Sequence, residues 1–187
     1  MSENDYYYDT SEDDRYDNSY DQTSGQPQLR RIEGFLEDDI RAFVGQNSDK
    51  YTERFYCIAR GQKPYNWCSA LFAPSWMAYR KMWKPAIVLA VIVDLINSIF
   101  SLIPVLSGFL GSLVLLVFYF AVLGREGNAL YWNFVKEELT KEGLANTPQP
   151  DYEKREQLRK KGGTSLLFLV LFWIFNAAVN SLLGVLF

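Results

Sequence analysis

An apolar run of 38 residues, Ala86 to Leu123 (AIVLAVIVDLINSIFSLIPVLSGFLGSLVLLVFYFAVL), constrains this chain more than any other feature. It holds one carboxylate, Asp94, and no lysine or arginine. A second run, Leu166 to Phe187, occupies the last residues. Hydrocarbon roughly 30 Å thick offers the backbone no water to bond, so a run beyond about 18 apolar residues reads as a helix that crosses a bilayer. The expected class is an all-α integral membrane protein.

As one helix the first run would extend roughly 57 Å at 1.5 Å per residue, more than tilting absorbs. It has to turn back, and Pro104, with Ser101, Ser107 and Gly108 near it, is the break. The expectation is a transmembrane helical hairpin over 86–123, with spans Ala86–Ile103 and Val105–Leu123, and a third transmembrane helix over 166–187. Charge orients them: Arg80, Lys81 and Lys84 precede the hairpin, Arg125 and Lys136 follow it, and Lys154, Arg155, Arg159, Lys160 and Lys161 precede the third span. Basic flanks stay in the cytoplasm. The N-terminus is then inside and the C-terminus outside. The cluster from Lys154 to Lys161 is also a candidate contact for anionic lipid.

Averages conceal this layout. A mean hydropathy of -0.11 and a net charge of -3 resemble those of a water-soluble chain. Yet residues 1–28 carry eight carboxylates against Arg15, and the remainder carries 18 Lys and Arg against 14 Asp and Glu. The first 28 residues are read as a disordered acidic tail: they have almost no aliphatic side chains to bury, and they lack the basic and apolar regions of a secretory signal. Tyr6, Tyr7, Tyr8, Tyr16 and Tyr20 lie among its acids as candidate contacts for a protein partner or as modification sites.

Between tail and hairpin two segments are expected. Over 29–64, Ile32, Phe35, Leu36, Ile40, Phe43 and Val44 recur at helical spacing, and Tyr51, Phe55 and Ile58 follow after Gly45. This predicts short amphipathic cytoplasmic helices, the second capped by Asn47 or Ser48. Over 65–85, Phe72, Trp76, Tyr79 and Trp83 would form one aromatic stripe on a helix. The segment is short and interrupted by Pro74, so it is expected to lie at the interface or re-enter shallowly. Trp67, Trp76, Tyr79, Arg80, Lys81 and Trp83 are its candidate interfacial anchors. Residues 124–165 form a charged cytoplasmic connection whose first part can continue as an amphipathic helix to Leu139.

The absence of histidine removes histidine-based acid–base and nucleophile chemistry. Cys57 and Cys68 cannot complete a four-ligand zinc site. No catalytic, cofactor-binding or metal motif stands out. Inside the apolar runs, Asp94 and Asn97, and Asn176 and Asn180, are one helical turn apart. An intramembrane carboxylate costs about 2.5–3.5 kcal/mol, so Asp94 is expected to meet an asparagine of the last span. Small residues four apart, Ser107 and Gly111, Gly108 and Ser112, and Ala177 and Ser181, favour close helix approach.

Three strings carry a family resemblance: FVGQN at Phe43–Asn47 with Tyr51 and Phe55, NWCSALFAPSWMAYRKMW at Asn66–Trp83, and GNALYWNFV at Gly127–Val135. Together they resemble the bacterial membrane-protein family catalogued as domain of unknown function 2628, over roughly residues 38–140. The resemblance implies a bacterial plasma-membrane protein. Family members often carry a zinc ribbon or a low-complexity tail ahead of the domain, and this chain has no ribbon cysteines. The functional expectation is a non-enzymatic interaction or scaffold module, with a small oligomeric transporter or channel subunit as the alternative. Expected partners are the lipid bilayer, a protein at the cytoplasmic tail and further copies of the chain, with no nucleic acid among them.

Overall fold

Residues 29–64 fold as a β-hairpin followed by two helices. In the computed structural model, which describes residues 29–106 and 108–186, Arg31–Ile32 (β1) pairs antiparallel with Phe35–Leu36 (β2), Ile32 opposite Phe35. The turn residues Glu33 and Gly34 have φ of 48° and 89°, the double positive φ that a two-residue hairpin turn requires. This corrects the all-α expectation at its first element. The spacing of Ile32, Phe35 and Leu36 suits a helix, but the same side chains are also buried from a hairpin. The expectations for residues 1–28, Ser107 and Phe187 lie outside the described residues.

Helix α1 (Glu37–Val44) starts on three acids, which suits the positive end of its dipole, and stops at Gly45, φ 64°. Helix α2 (Ser48–Ala59) follows; Asn47 stands at its N-cap in the left-handed conformation, and its side chain makes no capping bond. Helix α3 (Trp67–Tyr79) is capped by Asn66, whose side chain accepts from the Ser69 amide at 3.2 Å. It contains Pro74 and leaves helical geometry at Phe72 (φ -133°, ψ 25°). Lys81, φ 61°, turns the chain, so Trp83 opens helix α4 (Trp83–Ser101) and the aromatic stripe is divided between two helices.

The apolar block turns over residues 102–106 and resumes as α5 (Phe109–Phe118). A π-turn (Tyr119–Leu123) then passes without a break into α6 (Gly124–Lys141), so that Phe109–Lys141 is one continuous helix of 33 residues. The expected boundary at Leu123 is therefore not a break in the chain. The second apolar arm begins at Phe109, not Val105, because Pro104 breaks the helix and Val105 and Leu106 stay in the turn. Helix α7 (Tyr152–Lys161) is capped by Asp151, and α8 (Leu166–Leu186) completes the described chain.

The core lies where the hairpin, α1, α2, the second half of α3, α6 and α7 meet. Trp132, Tyr131, Phe55, Ile40, Val135 and Leu158 are all fully buried there. Phe55 stacks on Trp132 at 4.6 Å between ring centroids, and Tyr51 meets Tyr131 edge-on at 5.0 Å. At Gly162, between α7 and α8, a side chain would collide with the Phe43 carbonyl, so glycine permits the approach to α1. Beyond this lobe, three helices among the described residues are long and apolar enough to cross a membrane, and they include α4, α5 and α8.

Candidate functional site

The strings that carry the family resemblance converge on two buried polar knots. In the first, Asn128 of α6 accepts from Asn66 at 3.0 Å and Arg54 at 3.1 Å, and its own amide donates to the Pro64 carbonyl at 2.8 Å. The Asn66 amide donates to the Gly124 carbonyl at 2.7 Å, and the Tyr65 hydroxyl donates to the Phe120 carbonyl inside the π-turn at 3.1 Å. Gly127 lets α3 come this close, since a Cβ there would overlap the Ser69 side chain. These bonds fasten the start of α3 to the α5–α6 helix.

In the second knot Arg80, 4% exposed, donates from Nη1 to the carbonyls of Val44 and Gln46, both at 3.2 Å. Its guanidinium lies 4.4 Å from the Tyr51 ring centroid and 5.3 Å from that of Tyr131. The Trp76 indole donates to the Tyr51 hydroxyl at 3.3 Å. A planar cation at the last carbonyl of α1 and over two aromatic rings bonds the helix end without a carboxylate partner. Arg80 thus joins FVGQN to the Tyr-Arg-Lys-Met string, and both knots hold elements together.

The other candidate anchors separate. Trp67 and Trp83 are more than half exposed, Tyr79 and Lys81 are half-buried, and Trp76 and Arg80 are core residues. Lys81 donates to the carbonyls of Lys160 and Lys161 at 3.2 Å, closing the C-terminal end of α7. Of the α7 cations, Arg155 pairs with Asp39 at 2.9 Å and Asp38 at 3.5 Å, Arg159 with Glu156 at 3.5 Å, Lys154 with Asp151 at 3.9 Å, and Lys161 with Glu142. Lys160 is exposed. The cluster is therefore mostly engaged with acids. Burial holds the Asp39 carboxyl above its ordinary range, outweighing the Arg155 hydrogen bond and charge that favour ionisation.

The intramembrane candidates divide as well. Asp94, 9% exposed, accepts from Asn176 Nδ2 at 3.1 Å, and Asn180 donates to Asn176, to its carbonyl at 2.9 Å and its side-chain oxygen at 3.2 Å. Asn97 is exposed and stands apart. A cavity of about 320 Å³ opens beside Asp94, bounded by α3 at its break, by Tyr119 of the π-turn, and by Phe172, Trp173 and Asn176 of α8. Sequence reasoning did not find Tyr119, Phe72 or Trp173 as neighbours of Asp94. The signal available was Pro74, an imino acid inside an apolar helix, which marks where α3 opens.

The arrangement defines a class: a helical protein in which a compact lobe of short elements is built onto three long apolar helices. Residues 44–136 match the family described as "Protein of unknown function (DUF2628)", and this stretch of the chain is a domain of that family. No curated protein and no solved structure matches the chain.

Proposed function

We propose that the chain is a multi-pass protein of the bacterial plasma membrane and acts as a non-enzymatic interaction module. In this reading α4, α5 with the π-turn, and α8 cross the bilayer, and the N-terminus and the lobe are cytoplasmic. The continuous helix from Phe109 to Lys141 carries it, because its first half is apolar and outward-facing while its second half supplies the centre of the lobe core. Exposed Lys84, Arg125, Lys160 and Lys161 lie at the lobe ends of the three apolar helices, the charge distribution of a cytoplasmic face. Gly108 and Ser112, and Ala177 and Ser181, are exposed four residues apart, which suits self-association of the spans.

Reporter tags at the N-terminus and in the turn after Val105 test the topology: cytoplasmic and external readouts respectively are expected, and release of the protein by alkaline carbonate would defeat the reading. Affinity capture with the intact chain and with one lacking residues 1–28 tests recruitment by the acidic tail. Identical partner sets would remove that role. The Asp94 cavity supports a second reading, a small transporter or channel subunit. Flux in reconstituted liposomes that is lost in Asp94→Ala is its expected signature.

A further inference from the structure

Two departures from regular helix and one buried carboxylate meet at one cavity. Helix α3 breaks at Phe72 and carries Pro74, α5 passes into α6 through a π-turn at Tyr119, and α4 buries the Asp94 carboxylate. In hydrocarbon, irregular backbone persists where it lines a cavity, and π-turns recur at functional sites. Asp94 is the twelfth residue of α4, roughly 16 Å along the helix from Trp83 at 1.5 Å per residue, far from either end. Its Oδ2 accepts from the neutral Asn176 amide, and among the described residues no cation pairs with it. Phe72, Tyr119, Phe172 and Trp173 border the same space, and Trp173 is held by its indole donating to Ser75 Oγ at 3.1 Å.

A carboxylate without a counter-charge asks for a positive ligand, and aromatic walls specify which kind. Hard metal ions collect several oxygen ligands, whereas aromatic faces attract an organic cation that keeps its hydrocarbon substituents. The volume, about 320 Å³, falls at the lower end of the small-molecule range. We propose that this cavity binds an organic ammonium compound, with its nitrogen against Asp94 and its hydrocarbon part against the aromatic walls. The proposal rests on the transmembrane reading and deepens the second functional reading; it does not require transport.

The intact protein in nanodiscs of phosphatidylglycerol, which supplies no ammonium headgroup, provides the test. The probes are benzyltrimethylammonium and neopentylbenzene, its uncharged isostere with carbon in place of the nitrogen. A ligand of the native state raises the thermal unfolding midpoint. Benzyltrimethylammonium is expected to raise it saturably and neopentylbenzene is not. Asp94→Asn keeps the shape and the bond to Asn176, and it is expected to weaken the cation at least tenfold. Equal shifts by the two probes, or no shift by either, would overturn the proposal, as would undiminished binding by a folded Asp94→Asn. If that variant does not fold, the isostere comparison in the wild type decides alone. Phosphatidylethanolamine that raises the midpoint and blocks the probe would identify a lipid headgroup as the ammonium source; its inability to block would point to a soluble compound. A protein that resists carbonate extraction yet ignores the cation loses only this site, whereas one stripped from membranes loses the transmembrane reading.

Discussion

The lobe and the apolar helices use the same kinds of side chain in opposite ways. In the lobe, Trp132, Tyr131 and Phe55 are sealed from the surroundings, and the polar groups among them are largely bonded to one another. On α4, α5 and α8, Ile99, Phe109 and Ile174 are 57%, 80% and 62% exposed. A surface of that kind is stable where the solvent is itself apolar. On the proposed transmembrane reading, one continuous helix, α5 to α6, serves two solvents; the structure puts the change at the π-turn, where side chains go from facing outward to filling a core.

The sharpest way to break this contrast is to truncate one aromatic residue on each side. Trp132→Ala empties the middle of the lobe and is expected to cost about 4 kcal/mol, read from unfolding of the purified protein. Phe109→Ala removes a ring that touches little, and the unfolding midpoint is expected to stay within error. An equal loss in both would mean that the α5 face is covered by protein, and the two-solvent contrast would fail.

Next comes Arg80, which links the end of α1 to α3. Arg80→Met leaves the Val44 and Gln46 carbonyls without their donor, at a cost of about 1–3 kcal/mol. Arg80→Lys should not rescue the loss, because an ammonium cannot bond two carbonyls and lie flat on Tyr51 at once. Full rescue by lysine would show that charge alone matters at this position. The paired asparagines extend the comparison at smaller scale. Asn128→Ala breaks bonds to Asn66, Arg54 and Pro64 inside the lobe and is expected to cost about 2 kcal/mol. Asn176→Ala, between apolar helices, is expected on the transmembrane reading to cost nearer to about 0.6 kcal/mol, because a helix in lipid finds substitute partners. If Asn176 proved the costlier of the two, the helices and not the lobe would be the rigid part.

What the sequence disclosed follows from the strength of its periodic signals. The apolar runs, the turn near Pro104 and the stop at Gly45 were legible because length, proline and glycine act locally. The hairpin at Arg31–Leu36 was not, since two-residue strands carry no period and Ile32, Phe35 and Leu36 also match a helix. The placement of Trp76 and Arg80 was equally hidden. Aromatic and cationic residues near an apolar run suit a headgroup layer and a buried cation–aromatic knot alike, and only the fold brings Tyr51 and Tyr131 to Arg80. A partner for Asp94 at Asn176 or Asn180 was expected from cost, without a choice between them, and the cavity beside it depends on where α3 opens, which sequence spacing does not fix.

The smallest effect concerns a charged pair in the contact between α1 and α7, where burial and attraction oppose each other. Asp39 is 1% exposed; Arg155 donates to its Oδ1, while Oδ2 has no partner. Burial prevails, so the folded state holds the Asp39 proton more tightly than the unfolded chain does. Such a group favours the fold below the ordinary carboxylate pKa and loses that contribution as pH rises through its raised value. At neutral pH the ionised carboxylate is therefore a small net cost. Asp39→Asn, with the same shape and an oxygen still available to Arg155, is expected to unfold at a slightly higher temperature than the wild type at pH 7, with the gap closing toward about pH 4. A variant that is less stable at pH 7 would show that attraction to Arg155 outweighs desolvation. The lobe would then resemble a water-exposed surface at this edge more closely than its buried knots suggest.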